Sequence, residues 1–123
     1  MKRLVGVAFI AMCLAIGAGP AFADMGKTAT PLKVAANSAA ESHNNEGIEH
    51  YNQGHWDIAK KHFTGAAEAD PKSAEAHYNL ALTLDKSGDH GGATEHFRTA
   101  LELGKANPEI ANSGILKAHL KMK

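Results

Sequence analysis

Residues 40–73 overlay residues 74–107 without a gap, and this internal period of 34 constrains the fold more than any other feature of the chain. Ten positions are identical: Ala40/Ala74, Glu41/Glu75, His43/His77, Asn45/Asn79, Gly54/Gly88, Ala59/Ala93, His62/His96, Phe63/Phe97, Ala66/Ala100 and Glu68/Glu102. Roughly two identities are expected by chance at ordinary composition, so one structural unit is used twice. In the second copy Tyr78, Leu80, Ala81, Leu82 and Leu84 predict a helix, and Gly88-Asp89 predicts its break. Ala93, Phe97, Ala100 and Leu101 follow at spacings of four, three and one, giving a second helix a single apolar face. Two helices alone bury too little surface, so each unit gains its core by stacking on a neighbour.

The first unit carries His43, Glu46, Gly47 and His50, then Ala59-x3-Phe63, Ala66 and Pro71. The second carries His77, Leu80, Ala81 and Leu84, then Ala93-x3-Phe97 and Ala100. With the period, these residues resemble the tetratricopeptide repeat family and its pattern W-x2-L-G-x2-Y…A-x3-F…P. The second-helix halves match well. In the first helix of unit one, Glu46 stands where leucine is usual and His43 where tryptophan is; in unit two Pro108 comes three residues late. The resemblance covers about residues 40–107 and implies an all-α fold, a short right-handed α-solenoid of two helix-turn-helix repeats. It assigns the repeat core to six residues. Gly47 and Ala81 are small where the two helices of a unit cross, Ala59 and Ala93 are their small counterparts, and Phe63 and Phe97 fill the gap between units. Gly91-Gly92 is a soft spot in the last repeat helix, each glycine costing about 1 kcal/mol against alanine in a helix interior.

The flanks read differently. Lys2-Arg3, the apolar run Leu4–Ala18, Gly19-Pro20 and Ala21-Phe22-Ala23 form a secretory signal over residues 1–23, with cleavage expected before Asp24. The run is short for a permanent anchor, so no stable membrane insertion is expected after cleavage, and the product is expected to be periplasmic or secreted. The only cysteine, Cys13, leaves with the signal. Residues 24–37 hold Gly26, Pro31 and several Thr and Ala, the composition of a flexible linker. The repeat domain is expected over 38–121. It would open on a capping box, Ser38-x-x-Glu41, and close on one capping helix over 108–121. That helix would start at Asn107-Pro108, with Ile110, Ala111, Gly114, Ile115, Ala118 and Leu120 inward.

Thirteen acidic residues balance thirteen basic ones. That leaves no basic stripe for nucleic acid. Eight histidines are an excess, and four of them, His43/His77 and His62/His96, are copies made with the repeat. No H-E-x-x-H and no i, i+4 histidine pair occurs. His43 and His50, like His55 and His62, lie two turns apart on one helix, too far for one ion. No metal site and no cofactor is therefore assigned. With no thiol, no G-x-S-x-G and no glycine loop after a strand, no enzyme is expected.

The resemblance instead implies a concave groove lined by the first helices. Its positions are Glu41, Asn44, Asn45, Ile48, Tyr51 and Asn52 in unit one, and Glu75, Tyr78, Asn79, Leu82, Asp85 and Lys86 in unit two. Of these, Glu41, Asn45, Ile48, Glu75, Tyr78, Asn79 and Leu82 are the favoured partner-binding set. Asparagine offers both donor and acceptor to a peptide backbone. Glu41 and Glu75 disfavour an acidic carboxyl terminus and favour a neutral or basic segment. The expected function is an exported adaptor that binds a protein partner. Self-association through the apolar edge of a two-repeat stack is the alternative, and a histidine-rich metal carrier is a third reading.

Overall fold

The computed structural model describes residues 29–122, and the predicted signal lies outside them. Among the described residues there are six helices and no strand: α1 Glu41–Asn52, α2 Trp56–Ala69, α3 Ala74–Lys86, α4 His90–Leu103, α5 Pro108–Ala111 and α6 Gly114–His119. α1 packs on α2 and α3 on α4, α2 joins the two pairs, and α5 and α6 lie against α3 and α4. No described helix is long and apolar enough to cross a membrane.

The repeat accounts for the turns. Gly54 and Gly88 occupy equivalent places with φ of +77° and +89°, a conformation that costs glycine little. At each, the glycine N–H donates three residues back (to Tyr51 O, 3.0 Å; to Asp85 O, 3.1 Å). The next N–H donates five residues back (to His50 O and Leu84 O, both 2.9 Å). This paired closure ends the first helix of each unit and satisfies its last carbonyls. α4 is capped by Asp89, whose Oδ1 accepts from Gly92 N at 2.9 Å. A Cβ at Gly92 would stand 2.6 Å from the other carboxylate oxygen, so the predicted soft spot leaves room for this cap.

The core follows the repeat positions. Ala59, Phe63, Ala81, Ala93 and Phe97 are fully buried. A Cβ at Gly47 would meet the Phe63 ring at 2.6 Å, so the crossing of α1 and α2 admits only glycine there. Phe63 lies beside Gly47 and Tyr51 of its own unit, while Phe97 meets Tyr78 of its own unit edge-on at 5.6 Å and His119 of α6, beyond the unit, at 5.0 Å. α3 is buried nearly all round because α2, α4, the segment around Leu32 and the closing helices cover it.

Three expectations at the chain ends are corrected. Residues 29–37 are not a loose spacer: Ala29–Ala35 runs extended along the first helices, and a turn containing Asn37 (φ +64°) leads back toward α1. Hydrogen bonds from helices distant in sequence hold it, as set out below. The capping box does not form. α1 starts after Ala40, the Ser38 hydroxyl is buried without a partner, and Glu41 Oε2 accepts from Asn37 N at 2.6 Å. The closing helix is two helices. Asn107 caps Pro108 as the sequence predicts (Glu109 N to Asn107 Oδ1, 3.0 Å), but Ser113 caps a second start and resets the helical phase. Ile110 and Leu116 are therefore fully buried, while Ala118 is exposed.

Candidate functional site

The first helices of the two units grip a stretch of backbone. Asn79 on α3 and Asn44 on α1 are both fully buried. Asn79 Oδ1 accepts from Leu32 N at 2.7 Å, and its Nδ2 donates to Leu32 O at 2.7 Å and to Asn44 Oδ1 at 2.7 Å. Asn44 Nδ2 donates to the same Leu32 carbonyl at 2.9 Å. Both main-chain groups of Leu32 are thus satisfied by two side chains that read no sequence, and each amide is fixed in orientation by the network. The Tyr51 hydroxyl donates to Ala29 O at 3.4 Å. Burial, then the neighbouring Tyr78 and Asp85, pushes the Tyr51 hydroxyl up to about 12, so it keeps the proton it donates. Leu32 packs with Ile48 and Ala29 on the main core, and Val34 packs on a small cluster of Ala40, Ala66, Ala67 and Ala76. Lys33 between them is exposed, as the two-residue alternation of an extended chain requires.

The other groove positions are spread more widely. Leu82 is buried in the core. Tyr78 turns toward the closing helices, its hydroxyl 2.7 Å from Ser113 Oγ, and burial raises its pKa. Glu75 accepts from Asn107 Nδ2 at 3.1 Å, and Glu41 is engaged with Asn37. Asn45, the repeat equivalent of Asn79, is exposed, as is Asn52. Lys86 sits over the Trp56 ring, Nζ 5.9 Å from its centroid. Asn45 differs from Asn79 because Asn79 looks back onto a preceding first helix, and among the described residues none precedes α1.

All eight histidines have close ring neighbours, mostly across helices. His43, His50, His55 and His62 form a chain of rings on unit one, with His50 and His62 stacked at 5.6 Å. His77 and His96 stack at 5.5 Å on unit two. Burial, then the His77 charge, lowers the His96 pKa against the opposing pull of Glu95 and Asp89. The remaining two, His90 and His119, share the Asp85 carboxylate at 2.8 and 2.9 Å. Same-helix spacing could not find these groupings, since their members come from different elements.

Two stacked helix pairs with an extended segment along their first helices define a helical-repeat protein. The profile described as tetratricopeptide repeat matches residues 44–108, more than half of the chain, and the protein belongs to that family. Such repeats are protein-interaction modules and in general not catalytic. A search of curated proteins gave no match.

Proposed function

We propose that this protein is an exported interaction module that grips an extended segment of a partner by its backbone, through Asn44 and Asn79. The observation that carries this reading is the double engagement of Leu32, N–H and C=O together, by two buried asparagines on the two first helices. In the isolated chain the occupant is its own residues 29–35, so a partner enters by displacing them. The occupant also describes the partner: neutral or basic, extended, with apolar side chains at alternate positions, as in Leu32-Lys33-Val34. Export to the periplasm or exterior belongs to the same reading and is supported by the pattern of residues 1–23.

The test uses protein purified after expression of the whole chain, so that any processing has occurred, and a fluorescent peptide of residues 28–38. In a Leu32→Asp, Val34→Asp variant the tethered segment is weakened, and the peptide is expected to bind at least about tenfold more tightly than to the parent. Adding Asn44→Ala and Asn79→Ala to that variant should abolish binding. Equal, weak binding by all three proteins would overturn the groove reading.

Self-association is the second reading, and the same observation favours it. A segment that fits the groove of its own chain fits that of a second copy, an exchange of identical elements. Sedimentation of the parent at high micromolar concentration decides it: a strict monomer removes the exchange.

A further inference from the structure

Asp85 at the end of α3, His90 at the start of α4 and His119 at the end of α6 converge on one point. Their ligand atoms all lie within 4.8 Å of one another, the one such group of three among the described residues. Asp85 Oδ1 is 2.8 Å from His90 Nδ1 and 2.9 Å from His119 Nε2. Asp85 and His119 are largely buried (side chains 21% and 13% exposed), while His90 is 70% exposed and closes the group from the solvent side.

Thr94 Oγ1 lies 2.8 Å from His90 O and 3.1 Å from His119 Nδ1, so the His119 ring is held with Nε2 toward Asp85. The His77–His96 pair makes the contrast. There His77 Nε2 lies 2.9 Å from Pro71 O and the two Nδ1 atoms lie 3.2 Å apart, and no carboxylate joins them in a group of three.

We propose that Asp85 Oδ1, His90 Nδ1 and His119 Nε2 bind one divalent transition-metal ion of zinc's class. Two imidazoles and one carboxylate suit zinc, with water in the fourth position, and equally suit the later divalent metals that prefer nitrogen. Bonds of about 2.1 Å in a tetrahedron need ligand atoms about 3.4 Å apart. Parting the two Asp85 contacts by roughly half an ångström and setting the two histidine nitrogens at the same spacing provides this, and the exposed His90 ring is free to make most of the adjustment. Thr94 acts as the positioning residue: with the ion on Nε2, His119 Nδ1 carries the hydrogen and donates it to Thr94 Oγ1, which aims Nε2 at the ion. The ion then ties α6 to the α3–α4 pair.

Zinc titration calorimetry on the whole-chain product tests this. One ion per chain is expected with a dissociation constant below about 10 μM, and a melting temperature that rises with zinc. His90→Ala, at an exposed position that leaves the fold intact, and Asp85→Asn should each weaken binding at least about tenfold, and Thr94→Val by about tenfold. A His77→Ala, His96→Ala double variant should bind as the parent does. Imidazole 15N spectra should report His90 Nδ1 and His119 Nε2 as the nitrogens that shift on zinc addition. Binding that survives His90→Ala and Asp85→Asn unchanged would place the ion on other histidines. No binding tighter than about 10 μM would mean that hydrogen bonds alone hold the three side chains together. Either result overturns the site.

Discussion

The two open sides of this two-repeat stack are closed by different means. Beyond α4, the helices α5 and α6 insert Ile110 and Leu116, both fully buried, and the seal is made by side-chain volume. Along α1, an extended segment supplies two half-buried side chains, Leu32 and Val34, and the seal is made largely by hydrogen bonds from Asn44 and Asn79. A side-chain seal has the shape of one sequence. A backbone seal accepts many, which is what the proposed exchange of occupant requires.

The largest effect that breaks the comparison is expected at the helical end. Leu116→Ala empties a closed site and should lower stability by about 2–4 kcal/mol in urea unfolding. At the other end, Asn79→Ala leaves Leu32 N–H and Asn44 Oδ1 without partners and should cost about 1–3 kcal/mol. Amide exchange should then quicken across residues 29–35 while α5 and α6 stay protected. Tyr78→Phe, which removes only the hydroxyl bonded to Ser113, should cost about 1 kcal/mol by the same assay. A proton is a finer probe. The folded-state pKa of His96 lies below its ordinary value of 6.5, so the unfolded chain takes up its proton first as pH falls. The stability it contributes is full above about pH 6.5 and is lost toward its folded pKa. His96→Gln should flatten that part of the urea-midpoint curve. The smallest effect belongs to Asn45→Ala, expected to stay within about 0.5 kcal/mol because the residue is exposed. A large effect there would remove the asymmetry between the two first helices.

How much of this was legible in the sequence varied by feature. The period of 34, the turn glycines and the small residues at the crossings are local or repeated, so they survive without knowledge of the neighbours. The groove was legible as a face but not as a set of contacts. A gap-free overlay pairs Asn45 with Asn79, yet the partner of Asn79 is Asn44, and among the described residues no helix precedes α1 for Asn45 to address in the same way. The ordered segment carries no period at all. Its composition is that of a linker, and what orders it lies 12 and 47 residues away. Asp85, His90 and His119 come from three elements, at separations of 5 and 34 residues from Asp85, which no short motif encodes. At Ser113 the helical phase resets where the apolar spacing predicts one continuous helix, because its hydroxyl accepts from Leu116 N.

The tether of the extended segment has a consequence for the strength of any competitor. Joined to α1 by a turn of a few residues, residues 29–35 stand before the asparagines at an effective concentration on the order of millimolar. An arriving chain with the same contacts is outcompeted until its own concentration approaches that figure or it adds contacts that the tethered chain lacks. On the proposed reading the groove therefore sets a threshold: weak, generic extended chains are ignored, and an admitted partner is one that brings a second point of attachment.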